Sequence, residues 1–268
     1  MLARIATGLV GIPVFLYFLY LGKWPLFVLV AGMGLIGFHE YTCMWKAKGI
    51  NLADGIGYAA ILLLLLWAEL APTNTALLGA IFAATVMGVF SWVLRRYEER
   101  NVMDGLVTIS GVLYVGWLVS HLILLRGLGN GTGWDTGLKW VTLAFFCTWV
   151  ADSLAYFVGR AFGKHKLAPK ISPKKSVEGA IGGGVSTVIV GALWGPVVGI
   201  TAFQGGAIAV VAFILSVVGD LSESALKRYC GVKDSGNLLP GHGGVLDRFD
   251  SSLFVLPFIY YMAQLFVR

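Results

Sequence analysis

The residues able to do chemistry in this chain are acids and bases set in or beside apolar segments. In Val218-Gly219-Asp220-Leu221-Ser222-Glu223-Ser224-Ala225-Leu226-Lys227-Arg228, helical spacing puts Asp220, Glu223, Ser224 and Lys227 on one stripe. Two carboxylates one turn apart repel each other unless a cation or a proton lies between them. An ionisable group inside an apolar span marks function by default, because its desolvation is costly. Two acids followed by a basic pair therefore read as a device for holding a metal ion against phosphate. Upstream, Asp152, Tyr156 and Gly159 share a helical face in Trp149 to Arg160. A single carboxylate there fits a functional role and a hydrogen bond to a neighbouring helix about equally well.

Two polar loops flank these helices. The first, from Arg160 to Gly179, holds Lys164, Lys166, Lys170, Lys174 and Lys175, with Pro169 and Pro173 stiffening it. Ser176 is placed as the N-cap of the next helix, whose unpaired N–H groups and dipole favour phosphate. The second runs from Lys233 through Gly241-His242-Gly243-Gly244 to Asp247-Arg248-Phe249-Asp250. Its glycines let backbone N–H groups form an anion-binding nest. Asp247 and Asp250 present together if a helix begins there, and Arg248 can fork onto phosphate oxygens. No G-x-x-x-x-G-K-[ST] occurs, so phosphates would be held by a metal and basic side chains. His39, Glu40 and His121 read as satisfied polar residues or interface anchors. Cys43, Cys147 and Cys230 are too scattered for a zinc site or a disulfide framework.

These groups need a membrane scaffold to position them. Of 268 residues 57% are hydrophobic and 13% charged, which excludes disorder and leaves too little polar surface to cover a soluble fold. The expected fold is all-α and polytopic, with about nine spans near 5–22, 24–45, 55–71, 75–94, 105–125, 140–159, 179–200, 206–226 and 251–267. The first pair and the seventh and eighth are so close that each is either a tight helical hairpin or a partly re-entrant element. Even-numbered loops contain 15 of the 20 Lys and Arg, against 5 elsewhere, which assigns those loops to the cytoplasm and both termini outside. Residues 1–138 read as a transmembrane scaffold and 139–268 as the catalytic region. Gly182-Gly183-Gly184 permits close helix packing, either within one chain or between two.

Ser224-x-Leu226-Lys227-Arg228, followed by Lys233-Asp234-x-Gly236-x-x-Leu239-Pro240-x-His242-Gly243-Gly244-x-x-Asp247-Arg248-x-Asp250, resembles the C-terminal signature of the phosphatidate cytidylyltransferases, or CDP-diglyceride synthases. Asp152-x-x-Ala155-Tyr156 with Gly159-Arg160, and Ile171-Ser172-Pro173-Lys174-Lys175-Ser176-x-Glu178-Gly179, are similar to that family too. The two stretches cover roughly a quarter of the chain. The resemblance implies a multi-pass enzyme of the cell membrane that joins CTP to phosphatidic acid with magnesium, releasing pyrophosphate, and that works as a homodimer without a nucleic acid polymer. A second cation, monovalent or divalent, is left open.

On this reading Asp220 and Asp247, assisted by Glu223 or Asp250, hold the metal, since hard divalent ions prefer carboxylate oxygen. Lys174, Lys175, Lys227, Arg228, Lys233 and Arg248 are shared between nucleotide and lipid phosphates, with Lys227 and Arg248 nearest the chemistry. Ser176, Ser224, Gly243 and Gly244 contact substrate, and His242 either donates to a leaving oxygen or orders the glycine turn. Competing readings are a CTP-dependent enzyme for another lipid phosphate or a polyprenol, an ion-coupled transporter, and a structural lipid-binding protein. The two dense basic motifs on one face disfavour the transporter, and the acids beside them disfavour the lipid-binding protein.

Overall fold

The computed structural model describes residues 2–238 and 243–267. Nine helices follow one another among them: α1 (Leu2–Leu21), α2 (Lys23–Ala47), α3 (Asp54–Leu70), α4 (Thr75–Leu94), α5 (Val102–Arg126), α6 (Thr136–Phe162), α7 (Val177–Trp194), α8 (Ala202–Cys230) and α9 (Leu246–Phe266). Each lies over one of the apolar runs, and α2 and α4 to α9 are long and apolar enough to cross a membrane. α3 has 17 residues, and the apolar part of α1 is the shorter Leu9–Leu21, so length and apolarity alone carry seven crossings rather than nine. The protein is an all-α polytopic membrane protein.

The two close pairs are hairpins of full helices. Gly22, at φ 65°, alone joins α1 to α2. Between α7 and α8 a 3-10 turn (Gly195–Val198) leads through Gly199, at φ 88°, to Thr201, which caps α8 reciprocally with Gln204. Small residues then let α6, α7 and α8 lie almost backbone to backbone. A Cβ on Gly183 would stand 2.7 Å from the Ala151 carbonyl oxygen, and one on Gly182 would meet Val158. The triple glycine thus serves packing within one chain.

The basic loop is more ordered than its sequence suggests. Lys166–Ala168 (β1) and Ser172–Ser176 (β2) pair antiparallel, with Lys166 opposite Ser176. Such short, lysine- and proline-rich strands show no apolar alternation to announce them. Glu178 closes the hairpin onto α7, accepting from the Lys164 and His165 N–H groups at 3.0 and 3.2 Å and pairing with His165 Nδ1 at 2.6 Å. One apolar core, including Phe38, Ile61, Leu122, Trp140, Leu143 and Leu256, contains residues from both halves of the chain. At the end of the bundle marked by the α1–α2 turn, buried Arg126 pairs with Asp135 at 2.7 Å and donates to the Leu19 carbonyl at 2.6 Å.

Candidate active site

The acids meet because α8 and α9 touch at a glycine. A Cβ on Gly219 would stand 2.6 Å from the Asp250 carbonyl oxygen and 3.2 Å from Ser251 Cα, so any larger residue would force the helices apart. This contact sets Asp220 and Glu223 of α8 against Asp247 and Asp250 of α9. Helix α9 begins at Leu246, which puts both of its aspartates in the first two turns. Lys227 Nζ lies between them, donating to Glu223 Oε2 at 2.8 Å and to Asp247 Oδ1 at 2.5 Å. Ser224 Oγ donates to Asp220 Oδ1 at 3.3 Å, and Lys175 of β2 pairs with the other oxygen of Asp220. Asp152 of α6 lies in the field of Asp220, Asp250, Lys175 and Arg248. Asp152 thus lies near the stripe on α8, while Tyr156 of the same α6 face is exposed.

Asp247 has little capacity left. Its Oδ2 accepts from the Ser235 N–H and Oγ, both at 2.9 Å, and from the Gly244 N–H at 2.8 Å. Glu40 of α2 completes the loop from the other side, accepting from the Val245 and Leu246 N–H groups at 2.8 and 2.9 Å, with Ser235 Oγ at 3.2 Å. Among the described residues no local side chain caps α9, and Glu40 does so from some 200 residues away. Gly236 and Gly244 leave room for that carboxylate, and Gly243, at φ 82°, leaves room for Asp247. The Gly244, Val245 and Leu246 N–H groups at the end of the glycine turn are thus taken by the protein's own carboxylates. His242 and Gly241 lie outside the described residues.

Ser176 Oγ accepts from the Gly179 N–H at 3.2 Å, the expected N-cap of α7. It also stands where a Cβ on Gly159 would be, so Gly159 is the contact that seats α6 on this cap. Arg228 donates to the Ile171 carbonyl at 3.3 Å and the Val232 carbonyl at 3.2 Å. Lys174, Lys233 and Arg248 are exposed. The predicted basic residues thus divide into Lys175 and Lys227, paired with the acids, Arg228, bonded to backbone carbonyls, and the exposed Lys174, Lys233 and Arg248.

For a metal the decisive atom is Glu223 Oε1. The Glu223 side chain is 0% exposed, and this oxygen has no hydrogen-bond partner among the described residues. The charges of Asp250 and Asp247 act on it, and Asp220 acts on Asp250. No three acidic, histidine or cysteine side chains among the described residues stand as a closed metal cluster. Magnesium does not require one, since it is usually bound through one or two carboxylates, waters and substrate phosphates. A buried carboxylate oxygen with no donor among the described residues, in the field of Asp250 and Asp247, fits one such ligand.

A cavity of about 630 Å³ lies away from these acids, at the α1–α2 end of the bundle between Lys23, Glu69, Arg126 and Gln264. Its buried cation, Arg126, is already paired, so the chemistry is assigned to the acid cluster.

A model of the cytidylyltransferase family matches residues 2–266. The chain belongs to the cytidylyltransferase family. It is 37% identical over 275 residues to a phosphatidate cytidylyltransferase of Bacillus subtilis, covering 98% of this chain and 97% of the relative. It is 35% identical to one from Synechocystis sp., covering 98% and 96%, and 34% identical to one from Staphylococcus haemolyticus, covering 97% of each.

Of the signature residues that are described, Ser224, Lys227, Gly244, Asp247 and Asp250 lie at or beside the α8–α9 contact. His121 and His39 are satisfied, as expected: His121 Nδ1 lies 2.8 Å from the Trp117 carbonyl oxygen, and His39 Nδ1 lies 3.2 Å from the Tyr58 hydroxyl. Glu40 is satisfied too, but its partners make it part of the site's frame. The available signal is a carboxylate near the end of an apolar helix; its target cannot be read from the sequence.

Proposed function

We propose that this protein transfers CMP from CTP to phosphatidic acid, giving CDP-diacylglycerol and pyrophosphate. The observation that carries this reading is near-full-length similarity to relatives bearing the name phosphatidate cytidylyltransferase. The acid cluster ringed by lysine and arginine adds a chemical reason. A phosphate oxygen of the lipid attacks the α-phosphorus of CTP, the bond from that phosphorus to the β-phosphate oxygen breaks, and pyrophosphate leaves in line. Such a reaction needs positioning and charge neutralisation more than a protein nucleophile.

One or two of the carboxylates Glu223, Asp220 and Asp250, together with substrate phosphates, would hold magnesium, which would neutralise phosphate charge there. Asp247 fixes Lys227, Ser235 and Gly244, so that Lys227 keeps its direction beside the acids. The exposed Lys174, Lys233 and Arg248 gather the nucleotide and lipid phosphates, and Lys175 moves between Asp220 and substrate. We place the site at the cytoplasmic face of the cell membrane, on the strength of the 15 Lys and Arg in the even-numbered loops. We also infer a homodimer from the family resemblance, to be checked by the mass of the detergent-solubilised protein.

The test is product identification. Purified protein given CTP, dioleoyl phosphatidic acid and Mg²⁺ is expected to form CDP-dioleoylglycerol, detected by mass spectrometry. A product carrying another base from a nucleotide mixture, or product only from a polyprenyl phosphate, would redirect the assignment.

A further inference from the structure

Tyr114 belongs to the N-terminal half and to no motif, yet three features converge on it. It lies in a π-helical turn, Val112–Trp117, that interrupts α5, and such turns concentrate at functional sites. Its hydroxyl oxygen is buried and has no hydrogen-bond partner among the described residues. Its ring meets Phe254 at 6.3 Å, and Phe254 packs on Gly219, the residue where α8 touches α9. The phenol therefore stands beside the acid cluster, in the field of Glu223, Asp250 and Asp220. A buried hydroxyl without a partner is unfavourable unless a ligand supplies one.

The opposite side of the same residue is apolar. A shallow groove of about 510 Å³ runs along α5 over Leu106, Ile109, Leu113, Tyr114 and Trp117. Leu106 and Leu113 are exposed on it, as lipid-facing residues are. Tyr114 is the junction between this groove and the acids. A molecule with an anionic head and an apolar tail matches such a junction. The carboxylates can approach a phosphate only across a cation, whereas a phenol is a neutral donor that can bond to it directly.

We infer that Tyr114 binds the lipid substrate, its hydroxyl donating to the lipid phosphate while an acyl chain lies in the α5 groove. This rests on the lipid-phosphate reading above and adds where that lipid enters. Y114F keeps the ring against Phe254 and removes only the donor, and L113W fills the groove from an exposed position.

Pyrophosphate release is to be followed against dioleoyl phosphatidic acid, short-chain dihexanoyl phosphatidic acid and CTP, on variants that elute as monodisperse protein. Y114F should raise the KM for both lipids roughly tenfold, as loss of a hydrogen bond to a charged group does, with the CTP KM unchanged. L113W should raise the KM for dioleoyl but not for dihexanoyl lipid. An unchanged lipid KM in Y114F, or a CTP KM that moves equally, overturns the inference and leaves the transferase reading standing. An L113W effect equal for both lipids removes the groove. Wild-type protein without turnover on either lipid would overturn the transferase reading and this inference with it.

Discussion

Glu223 combines full burial, one oxygen held by Lys227 and one oxygen without a donor among the described residues. Glu223→Gln should lower kcat by about two orders of magnitude and raise the Mg²⁺ concentration needed for half-maximal rate, because a neutral amide neutralises no cation. A metal titration of both proteins checks this. Lys227 is different in kind: it neutralises two buried carboxylates at once, so removing it leaves charge without a partner. Lys227→Met is expected to destabilise the protein by about 3–5 kcal/mol, the usual result of breaking a buried pair from one side. Thermal unfolding in detergent reads it, and an unchanged midpoint would show that Glu223 and Asp247 do not depend on the lysine. The sequence reveals the stripe Asp220, Glu223 and Lys227, since it needs only helical periodicity. It does not reveal which carboxylate takes which partner, and Asp247, read as a metal ligand, has its oxygens engaged by Lys227, Ser235 and Gly244.

Among the helices, the contact that matters most is α8 on α9. Gly219→Ala adds one methyl where the Asp250 carbonyl already stands, so it should separate the acid pairs. The expected outcome is at least a tenfold loss of kcat with most of the fold retained, seen as a monodisperse gel-filtration profile beside a slowed pyrophosphate release. Glu40→Ala should loosen the start of α9, leaving the Val245 and Leu246 N–H groups without acceptors at about 1–3 kcal/mol in stability. Faster amide exchange at those residues is the direct readout. The helices themselves were legible because each is a long apolar run bounded by charge, glycine or proline. The β1–β2 hairpin was not, since its strands are short and polar. Nor was the Glu40 cap, since the contact joins residues 206 apart in sequence. The triple glycine announced close packing, and only the neighbours Val158 and Ala151 assign it to a single chain.

Across the whole molecule, the site sits at one end of a bundle whose sides are apolar, and one core joins the two halves of the chain. From the charge asymmetry we infer that this end faces the cytoplasm. Lys170→Cys in a Cys43→Ser background should react with a membrane-impermeant maleimide in inverted vesicles and not in right-side-out ones, because Lys170 is exposed on the hairpin and Cys147 and Cys230 are buried. Labelling from the opposite side would reverse the topology. The account depends most on pyrophosphate release by purified protein given CTP, with phosphatidic acid and Mg²⁺ each supplied or withheld. It predicts release only when both are present, and its near-complete loss in Glu223→Gln. Equal release without the lipid, or normal release by well-folded Glu223→Gln protein, would contradict it.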